Sequence, residues 1–131
     1  MSDHDSANRL EGSDGAATSL SVALLTPVLV VLAFAAVQAA LWSHARTEAR
    51  VVARDTAALV ARSGAAPSDA RASAAAALAG AATLSDVEVS ISSGNGVVTV
   101  TIRAKAPGII RGTSADVTVS EAIPIEEVSA R

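Results

Sequence analysis

Residues 16–43 read AATSLSVALLTPVLVVLAFAAVQAALWS, and no charged side chain lies between Asp14 and His44. A bilayer core takes about 20 consecutive apolar residues at roughly 1.5 Å of rise each, and residues 20–42 meet that length. Only Ser21, Thr26 and Gln38 bring polar side chains into the run. A core helix of a water-soluble domain would keep a polar face, so the stretch predicts a membrane-spanning helix. Trp42 closes it where an amphipathic ring favours the headgroup zone. Pro27 lies inside the span and frees a helical carbonyl, which Thr26 or a neighbouring helix can compensate.

Charge is distributed around this stretch unevenly. The formal net charge of −3 sits wholly in the leader, where Asp3, Asp5, Glu11 and Asp14 face a single Arg9; after the span acids and bases cancel. Residues 1–15 are polar and rich in Ser and Gly, which predicts a leader without regular structure. Downstream, Leu41, Ala45, Ala49, Val52, Leu59 and Val60 recur at helical intervals while Arg46, Arg50, Arg54 and Arg62 fall on another side. The span therefore continues to about Ser63 as an amphipathic stalk. Arg46 and Arg50, nearest the span, are candidates for lipid headgroup contact, because long cationic side chains near a span end reach for phosphates. Within the span, Ala33, Ala36, Ala39 and Ala40 follow the three- and four-residue steps that let membrane helices approach closely, a candidate packing surface.

Beyond the stalk the period changes. Gly64-Ala65-Ala66-Pro67 breaks the helix, and Ser68 is placed to cap a second short helix running to about Ala82. From residue 86, Val87, Val89 and Ile91 alternate with polar residues. Ser93-Gly94-Asn95-Gly96 supplies a turn, and Val98, Val100 and Ile102 continue the alternation. That pattern predicts a β-hairpin with one apolar face. Pro107-Gly108 ends it, and residues 113–123 give a third strand with Val117 and Val119 on one face. Three strands need a covering helix, and the amphipathic half of the long helix is available. The expected fold class is α+β: one N-terminal transmembrane helix, a second short helix and a three-stranded antiparallel sheet, divided as 1–15 leader, 16–43 span and 44–131 helix and head.

Several chemistries lack the residues they need. Cysteine is absent, the two histidines stand apart at positions 4 and 44, and no HExxH or phosphate-binding loop occurs. No catalytic, metal or cofactor site is therefore expected, and the chain reads as a non-enzyme. Glu126 and Glu127 adjoin each other after Pro124 and read as solvated tail charges. A basic patch with interleaved aromatics is also lacking, so nucleic acid is not an expected partner.

The order of these pieces resembles a family. Gly15, the run Ser21-Val22-Ala23-Leu24-Leu25-Thr26-Pro27-Val28-Leu29, then Gln38, Trp42, the His44-Ala45-Arg46 exit, an Ala/Arg helix and late Val-Thr-Val-Thr and Ala-Pro pieces resemble a TadE-like protein of the tight-adherence (Flp-type) pilus machinery, over residues 15–127. The resemblance implies a pilin-like, bitopic minor pilin or pseudopilin. Its partners would be the membrane, other pilin-like subunits and assembly platform proteins. It also implies trimming of the leader at Gly15 and Ala16 by a prepilin peptidase. The family's Glu six residues before the Pro is Ser21 here, and Gly15 precedes that position by six residues instead of five. The arginines after the span would, by the positive-inside rule, hold the head in the cytoplasm. The resemblance implies the reverse, N-terminus cytoplasmic and head extracytoplasmic in the cell membrane, and that is the expected orientation. The alternative function is a secreted or membrane-tethered binding module whose apolar segment is a signal peptide or anchor, cut after Ala33-Phe34-Ala35.

Overall fold

The uncharged run is helical, and its helix extends past both ends: α1 covers His4–Ser63. The computed structural model describes residues 4–81 and 83–125, with side-chain surroundings from residue 19 onward. Residues 4–15, expected without regular structure, are helical. Each residue added to an existing helix gains a hydrogen bond without a new nucleus, so a stable helix can carry a polar extension through Gly12 and Gly15. Residues 1–3 of the expected leader lie outside the described residues. Two compact units divide the chain, Met1–Val37 and Gln38–Arg131.

In the first unit every large apolar side chain from Leu20 to Val37 is between 47% and 66% exposed. An apolar surface on all sides of a helix is stable only where the solvent is itself apolar. Among the described residues one helix is long and apolar enough to cross a membrane. It runs on through Pro27. Thr26 donates its hydroxyl to the Val22 carbonyl at 2.7 Å, one residue before the Ala23 carbonyl that Pro27 cannot bond.

The second unit is α+β, with helices on one face of a sheet ordered β1-β2-β3. Its part of α1 buries Ala45, Ala49, Ala53 and Ala57, each no more than 1% exposed, together with Val60. Four-residue steps stack these alanines in one stripe, and their small size lets the backbone come close to what it covers. Leu41 and Leu59, expected on that apolar face, are exposed at 42% and 48%. The stripe runs through Ala57 and Val60, which turns Leu59 outward, and Val52 is only partly buried against the core. Gly64 ends α1 at φ 61°, a left-handed value that costs glycine little.

Helix α2 is Pro67–Ala79. Its N-cap is Ala66, with no side-chain cap, and Pro67 takes the first helical turn. Ser68 therefore sits inside the helix and does not cap it. Proline's fixed φ suits that first position, which starts the helix two residues earlier than a Ser68 cap would. The helix stops at Ala79, short of the expected end at Ala82, which lies outside the described residues. Ala70, Ala74 and Leu78 are buried and join the same core as the alanine stripe.

Strands β1 (Ser85–Gly94), β2 (Val97–Pro107) and β3 (Ser114–Pro124) form the antiparallel sheet. Asn95 at φ 52° and Gly96 at φ 73° make the two-residue β1–β2 turn, the left-handed pair whose twist matches the strands. Alternation holds along β2: Val98, Val100, Ile102, Ala104 and Ala106 are buried, and on β3 so are Val117 and Val119. Register places Ile102 between Val89 and Val119. Asp86, at φ 51°, marks an irregularity where β1 shifts register against β2. On the outer face Thr101 and Ser120 join their hydroxyls across strands at 3.0 Å.

Candidate membrane-interface site

Gln38 opens the C-terminal unit and is the polar interruption in the last part of the uncharged run. Its Oε1 accepts the backbone N–H of Ile109 at 2.8 Å, across 71 residues of sequence. Its Nε2 is buried with no hydrogen-bond partner. Ile109 belongs to the β2–β3 connection, which its own bonds hold tightly. The Gly108 N–H donates to the Thr113 carbonyl at 2.7 Å, and the Thr113 N–H and hydroxyl both donate to the Ile110 carbonyl. A Cβ on Gly108 would collide with the Thr113 side chain, so the connection needs glycine there. Ile109 and Ile110 are left at its tip with 39% and 72% of their surface exposed.

Two further contacts tie the head to the stalk. Thr83 donates its hydroxyl to Glu48. Arg50 Nε lies 3.1 Å from Glu121 Oε1 on β3, with the two side chains 59% and 28% exposed. Arg50, expected to face lipid phosphates, is thus held by a carboxylate of its own chain. Arg46 is exposed and makes no ion pair among the described residues. It lies four residues after Trp42, about 6 Å along the helix, and Arg50 about 12 Å. Of the two, Arg46 lies nearer Trp42. An exposed pair of the Arg50–Glu121 kind contributes less than about 1 kcal/mol and is screened by salt. Glu121→Gln should accordingly lower the melting temperature of the detergent-solubilised chain slightly in dilute buffer, with the difference gone in molar NaCl. A deficit that persists in salt would show the pair is not screened.

The other candidate positions are placed as follows. Ala33, Ala36, Ala39 and Ala40 are all exposed and available to another chain. Gly15 and Ala16 lie within α1, and their side-chain surroundings fall outside the described residues, as do Glu126 and Glu127 entirely. Among the described residues no group of three His, Cys, Asp or Glu is placed to hold a metal. Among the contacts that sequence reasoning missed is Gln38 with Ile109. Its one signal was an amide in an otherwise apolar run, and nothing local names its partner.

The uncharged run with Pro27 and Gln38, Trp42 at its edge and the first arginines after it lie together within residues 16–58. Residues 16–58 match the family model described as TadE-like protein. No curated protein and no solved structure matches the chain. The TadE-like segment ends at Ala58, inside α1, so α2 and the three strands lie beyond it although the resemblance was expected to reach residue 127. The match spans 43 of the 131 residues, about a third of the chain.

Proposed function

We propose that this chain is a bitopic minor pilin or pseudopilin of a tight-adherence pilus or related secretion system, acting structurally through helix packing and head contacts and not by catalysis. The observation that carries the reading is the TadE-like match lying on a helix whose apolar side chains are exposed from Leu20 to Val37. Such a surface calls for lipid or other helices. The N-terminus is cytoplasmic and the head extracytoplasmic in the cell membrane. Pilin-like subunits and platform proteins are its partners, and a prepilin peptidase trims the leader between Gly15 and Ala16. The exposed alanines at 33, 36, 39 and 40 supply the close-approach surface, since without a hydrophobic driving force in lipid, helices associate through packing of small residues. Replacing Ala36→Leu and Ala40→Leu together should reduce co-purification with the pilin-like subunits encoded beside it several-fold, while membrane flotation is unchanged. Undiminished recovery would remove the alanine surface from the account.

One observation favours the second reading, a released or tethered binding module. Ala33-Phe34-Ala35 lies just ahead of Gln38, where the second unit begins, so a cut after Ala35 would free that unit whole. Intact-mass measurement of the mature chain separates the two. A terminus at Met1 or Ala16 supports the pilin reading, and one at Ala36 supports release.

A further inference from the structure

The β2–β3 tip combines exposed apolar side chains, a built-in rigidity and a fixed level on α1. Gln38 lies four residues before Trp42, about 6 Å further along the helix toward its N-terminus and still inside the uncharged run. Because the Ile109 N–H bonds Gln38 Oε1, the tip is held at a level on the membrane side of Trp42. At that level the helix itself exposes Leu41 and Trp42, at 42% each. Ile109 and Ile110 therefore extend an apolar surface that the helix already presents. Arg111 follows them, also exposed. An isoleucine 72% exposed at the end of a stapled hairpin has no role in the core of this unit, and Gln38 Oε1 ties the connection to the helix.

We propose that Ile109-Ile110-Arg111 is a second membrane contact, which seats the head on the bilayer crossed by its own helix: Ile110 enters the headgroup and acyl boundary while Arg111 meets lipid phosphate. Apolar side chains beside a cationic one are what an interfacial segment uses to bind an anionic lipid surface. The inference rests on the membrane-anchored reading above. Its consequence is a head restrained in tilt against the membrane by the Pro107–Ser114 end of the sheet, the end opposite the Val97–Pro124 pair.

The chain has no native cysteine, so single-site probes can be placed on the full-length protein in vesicles of phosphatidylethanolamine and phosphatidylglycerol. An environment-sensitive fluorophore on Ile110→Cys should be blue-shifted and lose most of its emission to a quencher carried at the lipid headgroup. The same fluorophore on Ile125→Cys, at the opposite end of the sheet beside Gly96, should keep aqueous emission. A third probe on Leu29→Cys should be quenched by deep lipid labels. If position 29 is quenched and position 110 behaves like 125, the tip does not touch lipid and the proposal is overturned while the anchored reading stands. If position 29 is not quenched, the anchored reading itself fails and takes the proposal with it. Shielding at 110 that appears only at high protein-to-lipid ratio would assign the tip to a neighbouring chain, again overturning the lipid contact.

Discussion

Replacing Val30→Arg and Leu32→Arg together should move most of the chain out of the membrane fraction. On an insertion scale each large apolar residue contributes about −0.3 to −0.6 kcal/mol, and arginine at a helix centre costs about 2.5 to 3.5 kcal/mol. The large apolar positions from Leu20 to Val37 are eleven, so together they favour insertion by roughly 3 to 7 kcal/mol. Two central arginines cost about 5 to 7 kcal/mol and also delete two favourable terms, which reverses the sign. Buoyant-density flotation of detergent-free lysate reads the outcome without confusing aggregation with insertion. The wild type and a control with Val30→Ile and Leu32→Ile should float with the vesicles. Equal flotation of the double arginine variant would show that lipid burial of this helix does not hold the chain.

Ile102→Ala should cost the head more than any change on the outer face of its sheet. Ile102 is fully buried on the central strand, with Val89 and Val119 as its register neighbours. Truncating a buried isoleucine to alanine costs about 2 to 5 kcal/mol, because the cavity closes only in part. For a domain of this size each kcal/mol shifts the melting temperature by about 4 to 8 °C, so a drop of at least roughly 8 °C is expected by circular dichroism in mild detergent. The low aromatic content sharpens the effect, since the core rests on Val, Ile, Leu and Ala alone. Thr101→Ala, one residue away and on the other face, should stay within about 0.5 kcal/mol of wild type. Equal losses at 101 and 102 would mean that the face assignment is mistaken.

What could be read without the structure was whatever the chain repeats locally. The span announced itself by length and absence of charge. The strands showed in a period of two from Val87 to Ile102, and the turn in Asn95-Gly96, because those signals belong to neighbours in sequence. Misreadings came where one local rule overrode another. Ser68 looked like a cap until Pro67 took the first helical position, and Leu59 looked like core until the stripe through Ala57 and Val60 turned it away. Residues 4–15 carried leader-like composition, yet helix propagation prevailed over it. The rest was invisible for a simpler reason: Gln38 with Ile109, Glu48 with Thr83 and Arg50 with Glu121 join residues 35 to 71 positions apart. Such partners are chosen by how the sheet lies on the stalk, and no periodicity encodes that. The match to the TadE-like family stops at Ala58, and the strands beyond it read as generic alternation.

The proposed topology is a single helix crossing the bilayer with the head on the outer side, and thiol accessibility at both ends tests it directly. In otherwise cysteine-free chains produced in cells without the prepilin peptidase, so that the leader is kept, Ser93→Cys should react with a membrane-impermeant maleimide in intact cells, with the outer envelope opened where there is one, and Ser6→Cys should react only after the inner membrane is permeabilised. Reaction at position 6 but not 93 in sealed cells would reverse the orientation, and reaction at both would show that the helix does not cross.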